Sequence, residues 1–178
     1  PILTILTSIG LDHIEILGDT YTDIAKDKGA IVKPNTPIIY AVKNEDALKV
    51  IRGCVEQQNT EGIEFDRDIS IVSQEEEFTY RYKDYELETL LLNMLGEHQK
   101  ENAALAITAL IELNESGIVD LDFNKMIDGI ESVSWTGRIE QVKEKPLMIV
   151  DGAHNVESVE ALISTMKDYY HIDSLDIL

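Results

Sequence analysis

Thr7-Ser-Ile-Gly-Leu-Asp-His-Ile-Glu-Ile-Leu-Gly18 and, just beyond it, Lys26-Asp-Lys-Gly-Ala-Ile-Val-Lys-Pro34 flank the return of a strand into a helix. The strand is Ile2-Leu-Thr-Ile-Leu6, a short, nearly continuous apolar run between Pro1 and Gly10, as expected for a buried strand of a parallel sheet. Its carboxyl end delivers Asp12 and His13, at the edge where open α/β sheets gather ligands. Thr20 to Val32 reads as the helix, with Asp19 or Thr20 as N-cap and Pro34 as the stop.

Working outward, Pro37–Val42 reads as a second buried strand, and Asn44 as the N-cap of a helix from Glu45 to about Gln57. That β-α-β-α alternation predicts a layered α/β domain. From Gly62 to Asn93 the pattern changes to short extended pieces at Ile63–Phe65, Ile69–Val72, Phe78–Tyr82 and Glu86–Leu92. With a turn at Lys83-Asp84, these predict antiparallel hairpins. Glu75–Glu77 reads as a solvated turn. An Ala-rich helix follows over 99–113, then a short one over 123–130. Leu147–Val150 is a further strand, Val156–Tyr170 an amphipathic helix, and Ser174–Leu178 the opening of a strand.

With 178 residues the chain can bury a real core, and its 44% hydrophobic content is that of a soluble globular protein. Fifteen basic residues against 34 acidic ones leave a net charge of −19, which argues against a nucleic-acid surface. Any polyanionic substrate must therefore meet a local basic site. Cys54 is the single cysteine, so no intrachain disulfide forms and a reducing, cytoplasmic setting is expected. No apolar stretch is long enough to span a bilayer.

Taken one at a time, the chemistry-bearing residues allow two readings. His13 has a nitrogen suited to a divalent metal, with Asp12 as ligand or orienter. Lys28 lies fifteen positions later, and an ammonium has no lone pair to give a metal. It would serve one only with its amine modified, for instance by carbon dioxide to an anionic carbamate. The ordinary alternatives are a loop histidine and a solvated lysine, and on the residues alone those are preferred. Likewise His98, Gln99 and Asn102 stand at a helix start, where bare N–H groups favour polar ligands, yet simple capping would explain them. Arg138 beside Gly137 suits bidentate phosphate binding or is a surface charge. Asp151-Gly-Ala-His-Asn155 follows a strand and opens a helix, which puts Asp151, His154 and Asn155 at a ligand-binding edge.

Together these runs resemble the folylpolyglutamate synthase and dihydrofolate synthase family, within the Mur ligase superfamily. The resemblance is carried by Ser8-Ile-Gly-Leu-Asp-His13 with Leu17-Gly18, Ala25–Lys28, Ile31–Pro34, Gly96-Glu-His-Gln-Lys-Glu-Asn102, Gly137-Arg138 and Asp151–Asn155. It implies an ATP-dependent amide ligase that uses Mg2+ and joins L-glutamate to a folate or folylpolyglutamate through an acyl phosphate. It further implies His13 as a magnesium ligand and Lys28 as a carbamylated lysine. Asn102, Arg138 and Asp151 would be ATP contacts, His98 and Gln99 part of the same wall, and His154 and Asn155 neighbours of the reacting phosphate.

Three departures are visible. Asp27-Lys-Gly-Ala30 stands where the family has Glu-Lys-Ala-Gly, so helix packing near Lys28 is expected to differ. Trp135-Thr136 replaces a common Pro, and Val156 replaces the Pro after Asn155.

The phosphate-cradling Gly-x-x-x-x-Gly-Lys-Ser/Thr loop is not in this sequence. The expectation is a piece of a longer enzyme: residues 1–138 from the later part of a Mur-ligase-type ATPase domain, 139–178 the first β-α-β of a Rossmann-like C-terminal domain. Such a piece is expected to be inactive by itself. The runner-up activity is a UDP-muramoyl amino-acid ligase, and the contrasting class is a non-catalytic, partner-binding remnant.

Overall fold

The computed structural model describes residues 1–12, 14–74 and 76–170. At its centre lies a parallel sheet of three strands in the order β1-β2-β3, with β1 at Thr4–Leu6, β2 at Ile38–Tyr40 and β3 at Gly62–Glu64. Alternation along β2 explains the layers. Ile38, Tyr40 and Val42 face one core, while Ile39 and Ala41 face the other. Two helices cover the first face after a four-residue turn of helix, α1 (Ile14–Leu17), which the sequence reading did not anticipate. They are α2 (Tyr21–Gly29) and α3 (Glu45–Gln57), which pack on the sheet through Ile24, Ala25, Ala47 and Ile51.

Local chemistry fixes both helices. The Thr20 hydroxyl accepts the Asp23 amide at 3.1 Å and caps α2; beyond Gly29, i→i−3 bonds carry the tightening chain to Val32. The Asn44 side chain accepts the amides of Asp46 and Ala47, so α3 starts and stops where the sequence places it. The swapped small residues also find their reason. A Cβ on Gly29 would lie 2.8 Å from the Cys54 sulfur, so the crossing of α2 and α3 leaves room for nothing larger than hydrogen.

β3 departs from expectation. Ile63–Phe65 reads as part of a hairpin because Glu64 gives it alternation, but the strand pairs parallel with β2. Glu64 is buried all the same. It accepts the Tyr40 hydroxyl at 2.9 Å, and the guanidinium of Arg52 clamps its carboxylate, tying α3 to the sheet.

The second face is covered by α4 (Glu97–Glu115), which also packs under an antiparallel meander of β4 (Ile69–Gln74), β5 (Glu77–Tyr82) and β6 (Tyr85–Leu91). Leu105, Ile107 and Ile111 meet Phe78, Tyr80 and Leu90 in this core, and the Tyr80 hydroxyl is paired with Thr108 at 2.8 Å. α5 (Phe123–Ser132) closes one side, Phe123 stacking on Tyr85.

The remaining described chain is the hairpin β7 (Glu140–Lys143) and β8 (Met148–Val150), followed by α6 (Val156–Tyr170). Val150 is 47% exposed, so the strand expected to be buried has an open face. Its pairing is with β7, and a two-stranded hairpin covers only part of itself. The strand expected at 174–178 lies outside the described residues. Met166 and Thr165 of α6 are buried where this helix packs against α4.

Candidate active site

Ligand sites in open α/β folds form beyond the carboxyl ends of parallel strands, and here four segments meet at that edge. They are the loop after β1, the loop after β2, the start of α4, and the pair of turns at 135–139 and 151–155. Lys43, just past β2, forms an ion pair with Glu101 on α4. The Asp12 carboxylate lies 3.5 Å from Nε2 of His154. The edge is thus closed by residues far apart in sequence.

The two turns are held by Asp151. One of its oxygens accepts the Ile139 amide at 2.9 Å and the other the Ala153 amide at 2.8 Å, while the Gly152 amide donates to the Gly137 carbonyl. Ile139 is buried with φ at +48°, a left-handed conformation that a β-branched side chain resists. The surrounding bonds hold it there, and local strain of this kind is commonly kept at functional turns. Arg138 stands exposed on the same turn, with its guanidinium over Gly152.

Gly96 opens α4 with φ at +107°, in a region open to glycine. Its missing side chain admits the His98 ring, which would lie 2.7 Å from a Cβ there. Burial pushes the His98 imidazole below its ordinary value, against the opposing pull of the Asp151 and Glu101 carboxylates. Burial thereby favours the neutral imidazole, which keeps one donor and one acceptor. Next to it, the Asn102 amide donates to the Gln99 side chain at 3.2 Å; Gln99 is in the first turn of α4 and Asn102, exposed, in the second.

His154 and Asn155 sit at the start of α6. The Asn155 side chain accepts the Ser158 amide at 2.9 Å, and the Ser158 hydroxyl accepts the amides of His154 and Asn155, a reciprocal cap that takes over from the missing Pro. The His154 ring is exposed. Its pKa is raised by the Gly152 carbonyl bonded to Nδ1 and by Asp12, so the charged form is favoured.

Of the residues singled out in the sequence, His98, Arg138 and Asp151 come together, Gln99 pairs with Asn102, and His154 meets Asp12. Lys28 is exposed in the last turn of α2, and no ion pair joins it among the described residues. His13 lies outside the described residues. Sequence reasoning missed Lys43, Glu101, Tyr21 and Glu157. Glu101 stands inside the Gly96–Asn102 motif and Glu157 two positions after Asn155, whereas Lys43 and Tyr21 lie in no motif.

The Mur ligase middle domain family matches residues 1–110. Over 176 residues the chain is 37% identical to a dihydrofolate synthase/folylpolyglutamate synthase of Bacillus subtilis, covering 96% of this chain and 41% of that protein. A solved FPGS-AMPPCP-folate complex superposes with a TM-score of 0.89 at 29% identity, over 98% of this chain and 43% of the other. The apo form of L. casei FPGS superposes at 0.83 with 29% identity, over 94% and 42%. The chain thus spans about two-fifths of the length of these relatives.

Proposed function

The chain belongs to the folylpolyglutamate synthase branch of the Mur ligase family, and from that premise we propose that the protein carrying it is an ATP-dependent amide ligase. It adds L-glutamate to a folate or folylpolyglutamate. The observation that carries this reading is the convergence of Arg138, His98 and Asp151 with the Gln99–Asn102 pair at the carboxyl edge of the parallel sheet.

In the proposed reaction a carboxylate oxygen of the folate substrate attacks the γ-phosphorus of ATP, and ADP leaves. The glutamate amine then attacks the acyl carbon, loses a proton, and inorganic phosphate departs. The main task is to position the groups and offset negative charge. Arg138 supplies a guanidinium fork for phosphate oxygens. Neutral His98 and the amides of Gln99 and Asn102 offer hydrogen bonds to the nucleotide without adding charge. Asp151 keeps the Arg138 turn in place and faces the same cleft, while Asn155 orders the start of α6 and His154 reaches towards the reacting groups beside Asp12.

The described residues contain no group of three metal-type side chains. Magnesium fits such an edge nonetheless, since it commonly takes one or two protein groups and completes its shell with phosphate oxygens and water. His13 and a carbamylated Lys28 would hold it, with Asp12 close to His13 in the chain; bound there, the ion would offset charge building on the transferred phosphoryl group. Lys28 is exposed, so carbon dioxide can reach its amine.

We place the domain boundary at 138/139, where the turn held by Asp151 hands over to β7, and the protein in the cytoplasm. No described helix is long and apolar enough to cross a membrane. The proposed partners are small molecules, with no nucleic acid.

The test is ATP-dependent phosphate release with folate and glutamate, run beside a UDP-muramoyl precursor with its amino acid. The full-length protein is expected to be active with the folate pair, and the 178-residue chain with neither. Activity on the muramoyl pair alone would overturn the ligase reading, and an active short chain would overturn only the expectation that this piece is inactive by itself.

A further inference from the structure

Glu157, in the first turn of α6, reaches across the cleft to the loop after β1. Its Oε1 accepts the Leu11 amide at 3.0 Å and the Tyr21 hydroxyl at 3.0 Å, so one carboxylate joins that loop, the start of α2 and the start of α6. The approach is close. A Cβ on Gly10 would lie 3.1 Å from the Glu157 carboxyl carbon, and only a glycine there lets the carboxyl settle without displacement. The second oxygen, Oε2, is buried and has no hydrogen-bond partner among the described residues. A carboxylate keeps an oxygen in so poor a place only where its other contacts outweigh the loss. Of those contacts, the Leu11 one falls a single residue before Asp12 and two before His13. The neighbouring Asp12–His154 pair is largely exposed and holds such a register weakly.

We propose that Glu157 is a positioning residue: by accepting the Leu11 amide and the Tyr21 hydroxyl it fixes the loop that presents Asp12, so the phosphoryl-transfer site assembles only when α6 is seated. This rests on the ligase reading above. Glu157 touches no reacting atom in it; its effect on rate passes through the backbone at Leu11. A misplaced reacting group lowers kcat more than ground-state binding.

The experiment uses the full-length protein with Glu157→Ala, Glu157→Gln and Tyr21→Phe. Glu157→Ala is expected to lower kcat by about tenfold or more with a smaller change in the KM for ATP. Glu157→Gln keeps an oxygen that can accept both hydrogen bonds and should stay within about threefold of the wild type. Tyr21→Phe should fall between. Amide hydrogen exchange supplies the readout independent of turnover. The peptide covering Leu11 and Asp12 should exchange faster in Glu157→Ala, and the α3 peptide at its wild-type rate. Wild-type kcat in Glu157→Ala, unchanged exchange at Leu11, or a Gln variant as impaired as the Ala variant would each overturn the proposal. If the wild type releases no phosphate with folate and glutamate, the ligase reading fails by itself, and the exchange comparison still decides whether Glu157 holds the loop.

Discussion

His98 gives the site its most direct electrostatic test. Burial lowers its pKa, the Asp151 and Glu101 carboxylates raise it, and Arg138 and Lys43 lower it. Its folded value lies below the ordinary 6.5, so the native state resists protonation there. The stability it contributes is full above the unfolded value and is lost as pH falls through the lower folded one. NMR titration of the His98 ring should show a midpoint under 6.5. Asp151→Asn should move it further down, and Arg138→Gln should move it up. Equal shifts in one direction would show that the three groups do not share a site. Among residues, the motif members were legible because their types and spacing are unusual. Lys43, Tyr21 and Glu157 were not, since each acts through a partner far away in the chain, and a lone Lys, Tyr or Glu carries no sign of its partner.

The elements were legible where local chemistry determines them. Asn44 marks the start of α3 because its side chain can cap only there, and Lys83, at φ +50°, marks the turn between β5 and β6. Alternation reads Ile63–Phe65 as a hairpin strand, yet β3 joins the parallel sheet, because ion pairing with Arg52 lets Glu64 be buried there. At Gly29 packing opposes propensity, and the outcome can be predicted. Alanine is favoured over glycine in a helix by about 1 kcal/mol. The same methyl would meet the Cys54 sulfur at 2.8 Å, and overpacking of this kind costs about 1–3 kcal/mol. Gly29→Ala is therefore expected to destabilise the protein despite its better propensity. Adding Cys54→Ala should recover much of the loss, with a coupling of about 1–2 kcal/mol in urea denaturation. Additive effects would mean that α2 and α3 do not cross at this point.

On the scale of the whole molecule, the α/β layering followed from the alternation of the first 57 residues, but the seat of α6 could not be read. It depends on a helix face whose apolar residues look alike in sequence and on a glycine, Gly96, that admits both His98 and Thr165. Met166 is 1% exposed at this seat, yet belongs to neither of the two main cores, one between the sheet and α2–α3 and the other around α4 and the meander. Opening of α6 should then leave both cores intact. Met166→Ala removes a buried side chain at a cost of about 2–5 kcal/mol. Because that loss falls on the contact of α6 with α4, exchange protection in α6 should drop while that of the α4 interior near Ile107 holds. Ile107→Ala, in the meander core, should instead lower protection in both helices, because α6 rests on α4 and α4 on that core. If Met166→Ala weakened α4 and α6 alike, the two would unfold as one unit, and α6 could not act as a separately seated element controlling the nucleotide edge.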